Sequence, residues 1–272
     1  MIQDIFPRKL YNQYDPAALP ESDDRVMVFD GTRLLLNEAG SDFPRIGELE
    51  SGEYTYLFTV DEERYFLRRT GCAIPEGFGF TDVKALRRQQ TMAQHRLFAA
   101  MTGKHLSDWY RDTAFCGRCG ERMTHSERER AQKCPACGYT AYPRIMPAVI
   151  VGVKNGDKLL LTRYRTGFAH NALIAGFIEI GETAEEAAAR EVMEEADIRI
   201  KNIRYYKSQP WGVANDLLLG YYCELDGDET IHMDENELKY AQWVSREDIV
   251  LQPDDFSLTN EMMTRFKTGQ ER

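Results

Sequence analysis

The chain has 272 residues, a formal net charge of −10, 43% hydrophobic residues and 29% charged residues. That composition belongs to a folded chain rather than a disordered one, and the length predicts more than one domain. The acidic balance argues against general nucleic-acid affinity, which depends on Lys and Arg neutralising phosphates, and no run of about 18 apolar residues offers a membrane span.

The opening stretch MIQDIFPRKLYNQYDPAALPESDD lacks a basic start followed by an apolar run. No secretory signal is expected, and the cytoplasm is the expected compartment. Residues 25–69 read as β-rich. RVMVFDGTRLLL sets Asp30-Gly31 between two apolar runs, a two-residue hairpin signal, and YTYLFTV and RYFLRR continue the pattern. Gly77 and Gly79 lack nucleotide-loop spacing and are expected in a turn ahead of a helix. TDVKALRRQQTMAQHRLFAAMTGKHLSDWYR then predicts one long helix, or two in tandem, over about 82–111, with Gly103 as the interruption.

Next comes C-x2-C-x14-C-x2-C, formed by Cys116, Cys119, Cys134 and Cys137. Thiolates two residues apart on a tight turn reach one ion, and Gly120 and Gly138 let the backbone curl around it. Four thiolates fill a tetrahedral Zn²⁺ shell and leave no open position, so the expected zinc is structural. Four unligated buried cysteines, or a redox pair, do not account for the doubled spacing. The expected role is a clamp between domains. Cys72 and Cys223 stand alone and are expected to be small buried hydrophobes.

YPRIMPAVIVGVKNGDKLLLTRY predicts a hairpin with Asn155-Gly156 at its turn. A helix follows from near Thr183 to about Ala196, because Thr183 and Glu186 have capping-box spacing and the alanines between are strong helix formers. IRYYKSQPWGV, LLLGYYCEL and YAQWV read as strands, and SLTNEMMTRFKT as a closing helix. Strands and helices without regular alternation predict an α+β fold or a mixed sheet.

The predicted helix carries Glu191, Glu194 and Glu195 within five residues. Residues three and four apart are surface neighbours, and like-charge pairs there cost only ~0.2–0.5 kcal/mol. A solvated acidic face and a cation site both remain open on this run alone. The surroundings carry more. Gly176, Glu182, Arg190, Glu191, Val192, Glu194, Glu195 and Ile198 fit G-x5-E-x7-R-E-U-x-E-E-x-G-U, where U is aliphatic, at eight of nine positions. The exception is Asp197, where the pattern has glycine. Asp visits the left-handed conformation more readily than most side chains, so some strain but an intact loop is expected.

On these residues the chain resembles a Nudix hydrolase. The resemblance implies an α/β/α sandwich with a mixed sheet, in which Glu191, Glu194 and Glu195 hold Mg²⁺ or Mn²⁺. It implies that Glu182 and Arg190 brace the loop, and that Glu195 is the general base or key ligand. Glu237, in E-x3-A-x-W, matches a further metal-binding glutamate; its alternative is a plain surface carboxylate. The ribbon, YPRI (Tyr142–Ile145) and SQPW (Ser208–Trp211) together resemble the NADH pyrophosphatases, also known as NAD-capped RNA hydrolases. This resemblance covers residues 113–272 well and the first 112 by layout only. It divides the chain into a β-rich N-terminal domain with a long helix (1–112), a zinc ribbon (113–141) and a catalytic domain (142–272).

That branch is marked by S-Q-P-W-P-F-P-x-S. This chain keeps Ser208, Gln209, Pro210 and Trp211, then reads Gly212, Val213, Ala214, Asn215 and Asp216. The lost half bears on substrate choice rather than on the catalytic step. The resemblance further implies a homodimer, with Phe177 and Tyr142 stacking on the adenosine end and Trp211 supporting the dimer or the pocket edge. Core packing is the alternative for Phe177 and Tyr142. The implied reaction is hydrolysis of the pyrophosphate of NADH or NAD⁺ to nicotinamide mononucleotide and AMP. Alternatives are ADP-ribose, a diadenosine polyphosphate, NAD-capped RNA, or a nucleotide-binding scaffold without turnover.

Overall fold

Short strands separated by turn glycines dominate the first third of the chain. The computed structural model describes residues 1–69, 71–166 and 169–271, and the chain divides into two units. One comprises Ile2–Arg144 with Trp211–Asn215; the other comprises Met1, Ile145–Pro210 and Asp216–Arg272.

In the first unit, β1 (Leu10–Tyr11), β2 (Arg25–Met27), β5 (Tyr54–Val60) and β6 (Glu63–Arg68) form a sheet in the order β1-β5-β6-β2. A second sheet, β3-β4-β7, is built from β3 (Phe29–Asp30), β4 (Arg33–Asn37) and β7 (Phe78–Asp82). Asp30 pairs with Arg33, so the β3–β4 turn is Gly31-Thr32, one residue later than the sequence suggested. Gly77 lies in a turn at φ 80°, but Gly79 lies inside β7 opposite Leu36, not in a turn before a helix.

The predicted helical stretch is two helices, α1 (Val83–Gln89) and α2 (Gln94–Asp112). Asp82 caps α1 by accepting from the Lys84 and Ala85 N–H groups, and α1 ends on left-handed Gln90. The break therefore falls before Gln94 rather than at Gly103. Gly103 is buried within α2, where a Cβ would lie 2.0 Å from Met27 Sδ, so close packing explains that glycine. The ribbon follows as β8 (Thr124–His125), β9 (Gln132–Lys133) and β10 (Thr140–Ala141), in the order β10-β9-β8. It is tied to the rest of this unit at several points. Tyr14 Oη donates to the Ser126 carbonyl at 2.9 Å, Arg130 donates to the Leu57 carbonyl, and Tyr110 stacks on His125.

The second unit is a six-stranded mixed sheet. β11 (Met146–Asn155), β12 (Lys158–Tyr164), β14 (Ile200–Trp211), β15 (Asp216–Leu225) and β16 (Leu238–Ser245) run β14-β15-β11-β12-β16, and β13 (Ile174–Phe177) also pairs with β11. β11 is parallel to β15 and antiparallel to β12 and β13. Asn155 pairs with Lys158, which places the turn at Gly156-Asp157, again one residue beyond the expected dipeptide. Residues on alternate faces of a strand point oppositely, and both faces are covered. Helix α3 (Ala184–Ala196) packs Ala187, Ala188, Val192 and Ala196 onto Val149, Val151, Val153, Tyr221 and Cys223. On the opposite face, α4 (Leu258–Lys267) sits over Gly152 and Gly220, and Tyr222 Oη donates to the Met262 carbonyl. This is an α/β/α sandwich. Among the described residues, no helix is long and apolar enough to cross a membrane.

Candidate active site

Helix α3 begins with a reciprocal cap. Thr183 Oγ1 accepts from the Glu186 N–H, and the Glu186 carboxylate accepts from the Thr183 N–H at 2.8 Å. The helix ends on Asp197, at φ 56° and ψ 36°, whose N–H reaches the Met193 carbonyl. An aspartate thus adopts the left-handed conformation that the pattern assigns to glycine, at a cost of roughly 1–2 kcal/mol.

Between these ends, Glu191 and Glu195 stack one turn apart and face β13. There Gly176 leaves space that no other residue could. A Cβ on it would stand 1.9 Å from the Glu191 carboxyl carbon. The glycine of the sequence pattern is therefore the floor on which Glu191 rests.

Arg190 holds the loop before α3. Its Nε and Nη2 donate to the two oxygens of Glu182 at 2.8 Å each, and Nη2 also donates to the Phe177 carbonyl at 2.9 Å. Nη1 donates to Glu191 at 2.7 Å and to Glu194 at 3.0 Å. Hydrogen bonding from Arg190 pulls the Glu182 carboxyl down to about 2. Glu194 is exposed and turned toward Arg190.

Glu195 is only 2% exposed, and its Oε2 has no hydrogen-bond partner. Burial first, then the charges of Glu191 and Glu237, push its carboxyl up to about 8, against a backbone hydrogen bond from Ala175. Burial also raises Glu191, opposed by Arg190 and reinforced by Glu194 and Glu237. Glu237 is thus felt by both. The backbone explains its place: Arg165 N–H donates to the Glu237 carbonyl, and Glu195 accepts through its carbonyl from Asp234 N–H.

Tyr164, at the end of β12, was not foreseen. Burial and then the charges of Glu195, Glu237 and Glu191 raise its phenol, so the ring stands among the carboxylates. No motif marks it in the sequence; only the pairing of β12 with β16, and the irregularity at Arg163/Tyr164, bring it there.

Two metal sites are in question. Among the described residues, only Cys116, Cys119, Cys134 and Cys137 gather three or more ligand atoms within 4.8 Å of one another. The Cys116–Cys137 and Cys119–Cys134 sulfur pairs are 3.6 and 3.5 Å apart. Four sulfurs about 2.3 Å from Zn²⁺ in a tetrahedron stand about 3.8 Å apart, so the set fits structural zinc. Gly120 and Gly138, at φ 78° and 71°, close the two knuckles. The glutamates do not converge as tightly, because Arg190 engages oxygens of Glu191 and Glu194. Their chemistry still fits a hard divalent cation. The charges of Glu191 and Glu237 act on the buried carboxyl of Glu195, and an oxygen of Glu195 lacks any donor.

The aromatic candidates are not core residues. Phe177 is 51% exposed in the sandwich unit. Tyr142, in the other unit, is 59% exposed, and its Oη donates to Glu129. Trp211 also belongs to that unit, with the Arg87 guanidinium 5.2 Å over its ring. Gly212 follows, and a Cβ on it would meet the Met101 carbonyl oxygen at 2.2 Å. This turn is closely packed on α2, and its glycine is required.

Residues 144–266 match the NUDIX domain family, and residues 111–142 match the NADH pyrophosphatase zinc ribbon domain. The chain is similar to the NAD-capped RNA hydrolase NudC of Yersinia enterocolitica, 39% identical over 176 residues covering 64% of this chain and 66% of that protein. It is similar to the NAD-capped RNA hydrolase NudC of Escherichia coli O1:K1, 42% identical over 154 residues covering 56% and 59%. The chain thus spans less than two thirds of the length of these relatives. A solved NUDIX hydrolase from Nitrosomonas europaea shares the fold, with a TM-score of 0.51 and 22% identity over 57% of this chain and 91% of that one. With its glycine floor, arginine brace, acidic helix and four-cysteine ribbon in place, the chain carries a NUDIX domain with an NADH pyrophosphatase-type zinc ribbon ahead of it.

Proposed function

We propose that the chain is a metal-dependent pyrophosphohydrolase that splits NADH or NAD⁺ into nicotinamide mononucleotide and AMP, working in the cytoplasm as a homodimer. The observation that carries this reading is the buried Glu195, with an unpartnered oxygen, under the charges of Glu191 and Glu237. A solvated acidic face would have left Glu195 exposed, and it is buried. Glu191, Glu194, Glu195 and Glu237 would hold Mg²⁺ or Mn²⁺, which neutralises them, polarises a phosphorus and activates water. The protein's own part is positional. As the water oxygen bonds to phosphorus and the P–O–P bond breaks, Glu195 receives the water proton. Arg190 and Glu182 keep the preceding loop fixed, and the exposed Phe177 ring offers a face for the adenosine to stack on. In the proposed homodimer Tyr142 is a second candidate for stacking on the adenosine, and Trp211 a candidate support of the dimer or the pocket edge. In this reading, residues 1–112 and the ribbon at 113–141 precede a catalytic domain at 142–272.

The relatives' name supports NAD-capped RNA as a second substrate, with the same bond cleaved; the net charge of −10 weighs against a long RNA path. The missing P-F-P keeps ADP-ribose and diadenosine polyphosphates as alternatives. Incubation with Mg²⁺ or Mn²⁺ and each compound, with products identified by mass, separates them. NADH is expected to yield reduced nicotinamide mononucleotide and AMP. Turnover of only the other compounds moves the assignment, and nucleotide binding without any hydrolysis makes the chain a scaffold. Glu195→Gln is expected to lose at least ~100-fold in turnover with its fold intact; full activity in that variant would sink the mechanism.

A further inference from the structure

A guanidinium has five N–H donors, and Arg190 gives all five to the protein. Nε and one Nη2 hydrogen go to Glu182, the other Nη2 hydrogen to the Phe177 carbonyl, and the Nη1 pair to Glu191 and Glu194. The brace therefore keeps no donor for a substrate. Glu191, Glu195 and Glu237 offer only acceptors when ionised. The oxygens of a diphosphate brought to them also accept. Cations can join the two sets, but a direct hydrogen bond from protein to phosphate needs a donor that is still uncommitted.

Tyr164 supplies one. The charges that act on its phenol are those of Glu195, Glu237 and Glu191; no cation and no hydrogen bond to a described residue is among them. Backbone contacts fix it there. Tyr164 pairs with Leu238 after a register shift at Arg163/Tyr164, and such irregularities re-aim side chains beside active sites. Arg165 N–H donates to the Glu237 carbonyl at 2.9 Å, and Glu237 and Leu238 N–H groups both reach the Asp234 carbonyl. Asp234 N–H in turn donates to the Glu195 carbonyl at 3.0 Å. One hydrogen-bonded path thus gathers Tyr164, Glu237 and Glu195, all inside the sandwich unit. A phenol ordinarily titrates near ~10, so at neutral pH this hydroxyl keeps its proton and donates it to a hydrogen bond.

We propose that Tyr164 is a catalytic residue whose hydroxyl donates a hydrogen bond to a non-bridging oxygen of the substrate's diphosphate. The inference rests on the pyrophosphohydrolase reading given above. As water adds to phosphorus and the P–O–P bond breaks, negative charge gathers on the phosphate oxygens. A donor fixed in place beforehand stabilises that charge without reorganising. A neutral hydroxyl also suits this place better than a cation. An arginine or lysine here would pair with Glu195 and Glu237, as Arg190 pairs with Glu182, Glu191 and Glu194, and would compete with the divalent ions. The phenol leaves those carboxylates free.

The test compares the wild type, Tyr164→Phe and Tyr164→para-aminophenylalanine, the last restoring an N–H donor on the same ring. Each is zinc-loaded and assayed with Mg²⁺ on NADH, or on whichever diphosphate the wild type turns over. Tyr164→Phe is expected to lower kcat at least ~10-fold. Its thermal midpoint should match the wild type's, because the hydroxyl holds no partner in the fold, and the aminated ring should recover most of the loss. Calorimetry gives a second readout. A methylene-bridged analogue of the substrate, which water does not split, should bind Tyr164→Phe about 5-fold more weakly, whereas adenosine, which has no phosphate, should bind both proteins equally. Tyr164→Phe turnover within about twofold of the wild type overturns the proposal. So does an equal loss of affinity for adenosine and the analogue, which marks a residue that only shapes the pocket. A wild type that hydrolyses no diphosphate takes the pyrophosphohydrolase reading down together with this proposal. A wild type that does so, with Tyr164→Phe keeping pace, leaves that reading standing and removes only the part given to Tyr164.

Discussion

At Gly176 the absence of a methyl group decides where Glu191 can lie. A Cβ would come within 1.9 Å of its carboxyl carbon, so alanine must drive the carboxylate aside. Gly176→Ala is expected to cut turnover of NADH roughly 100-fold, because displacements of about 1 Å cost that much. Its unfolding midpoint should change little, since the displaced group is the far end of a flexible side chain; steady-state kinetics and a thermal melt measure the two. Asp216, buried at the start of β15 with no hydrogen-bond partner for its Oδ1, behaves differently, since its cost is paid by the fold. Its carboxyl is held near 6 against 3.8, so the folded state binds more protons than the unfolded chain between these values. Stability from this group therefore falls as pH rises through that window and is level above it. Asp216→Asn should match the wild type below about pH 4 and exceed it by on the order of 2–3 kcal/mol above about pH 6. Urea unfolding at pH 3.5, 5 and 7 checks this, and an Asn variant less stable at pH 7 contradicts it. The glycine was visible in the sequence as a pattern position. The reason for it, and the missing partner of Asp216, required coordinates, because both depend on contacts between segments far apart in the chain.

Helix α3 was legible from its ends inward. Thr183 and Glu186 have the spacing of a reciprocal cap, and the structure forms both of its hydrogen bonds. Thr183→Ala removes one of them and should cost about 1 kcal/mol in urea unfolding, with Thr183→Ser restoring most of it; equal stability of all three proteins would show that the cap contributes nothing. Turns were legible to within one residue. In both hairpins the glycine is the first of two loop residues and has positive φ, at Gly31 and Gly156, whereas its successor does not. That is the pattern of a type II′ turn, in which glycine leads. The dipeptide reading had put it second. The break between α1 and α2 was misplaced for a related reason. Glycine weakens an isolated helix, but Gly103 faces buried Met27 and Leu57, and packing overrides propensity. The real break, at left-handed Gln90, has no glycine to announce it. Strand β13 escaped notice because four residues are too few to establish a period, although it supplies Gly176 and Phe177.

On the scale of the whole chain, the two metal sites should answer to different chemistry. The ribbon offers four thiols and no open position, whereas the acidic helix offers carboxylates that remain hydrogen-bonded to Arg190. Thiolate-bound zinc is a folding cofactor, and carboxylate-bound Mg²⁺ is easily exchanged. Brief treatment with EDTA should therefore abolish turnover reversibly and leave the thermal midpoint of the zinc-loaded protein nearly unchanged. Removing zinc with a thiol-directed reagent and a strong chelator should do the reverse. Hydrogen exchange should then rise in residues 111–144, and beyond them where the ribbon is anchored in its own unit. Those anchors are the Leu57 carbonyl bonded by Arg130, Tyr14 on Ser126, and Tyr110 stacked on His125. Protection in α3 and in the pairing of β11 with β15 depends on the apolar contacts of the sandwich itself, so it should persist. Zinc loss that left amide protection at Leu57–Phe58 and Tyr110 unchanged would mean that the ribbon is a passenger on this unit rather than one of its supports.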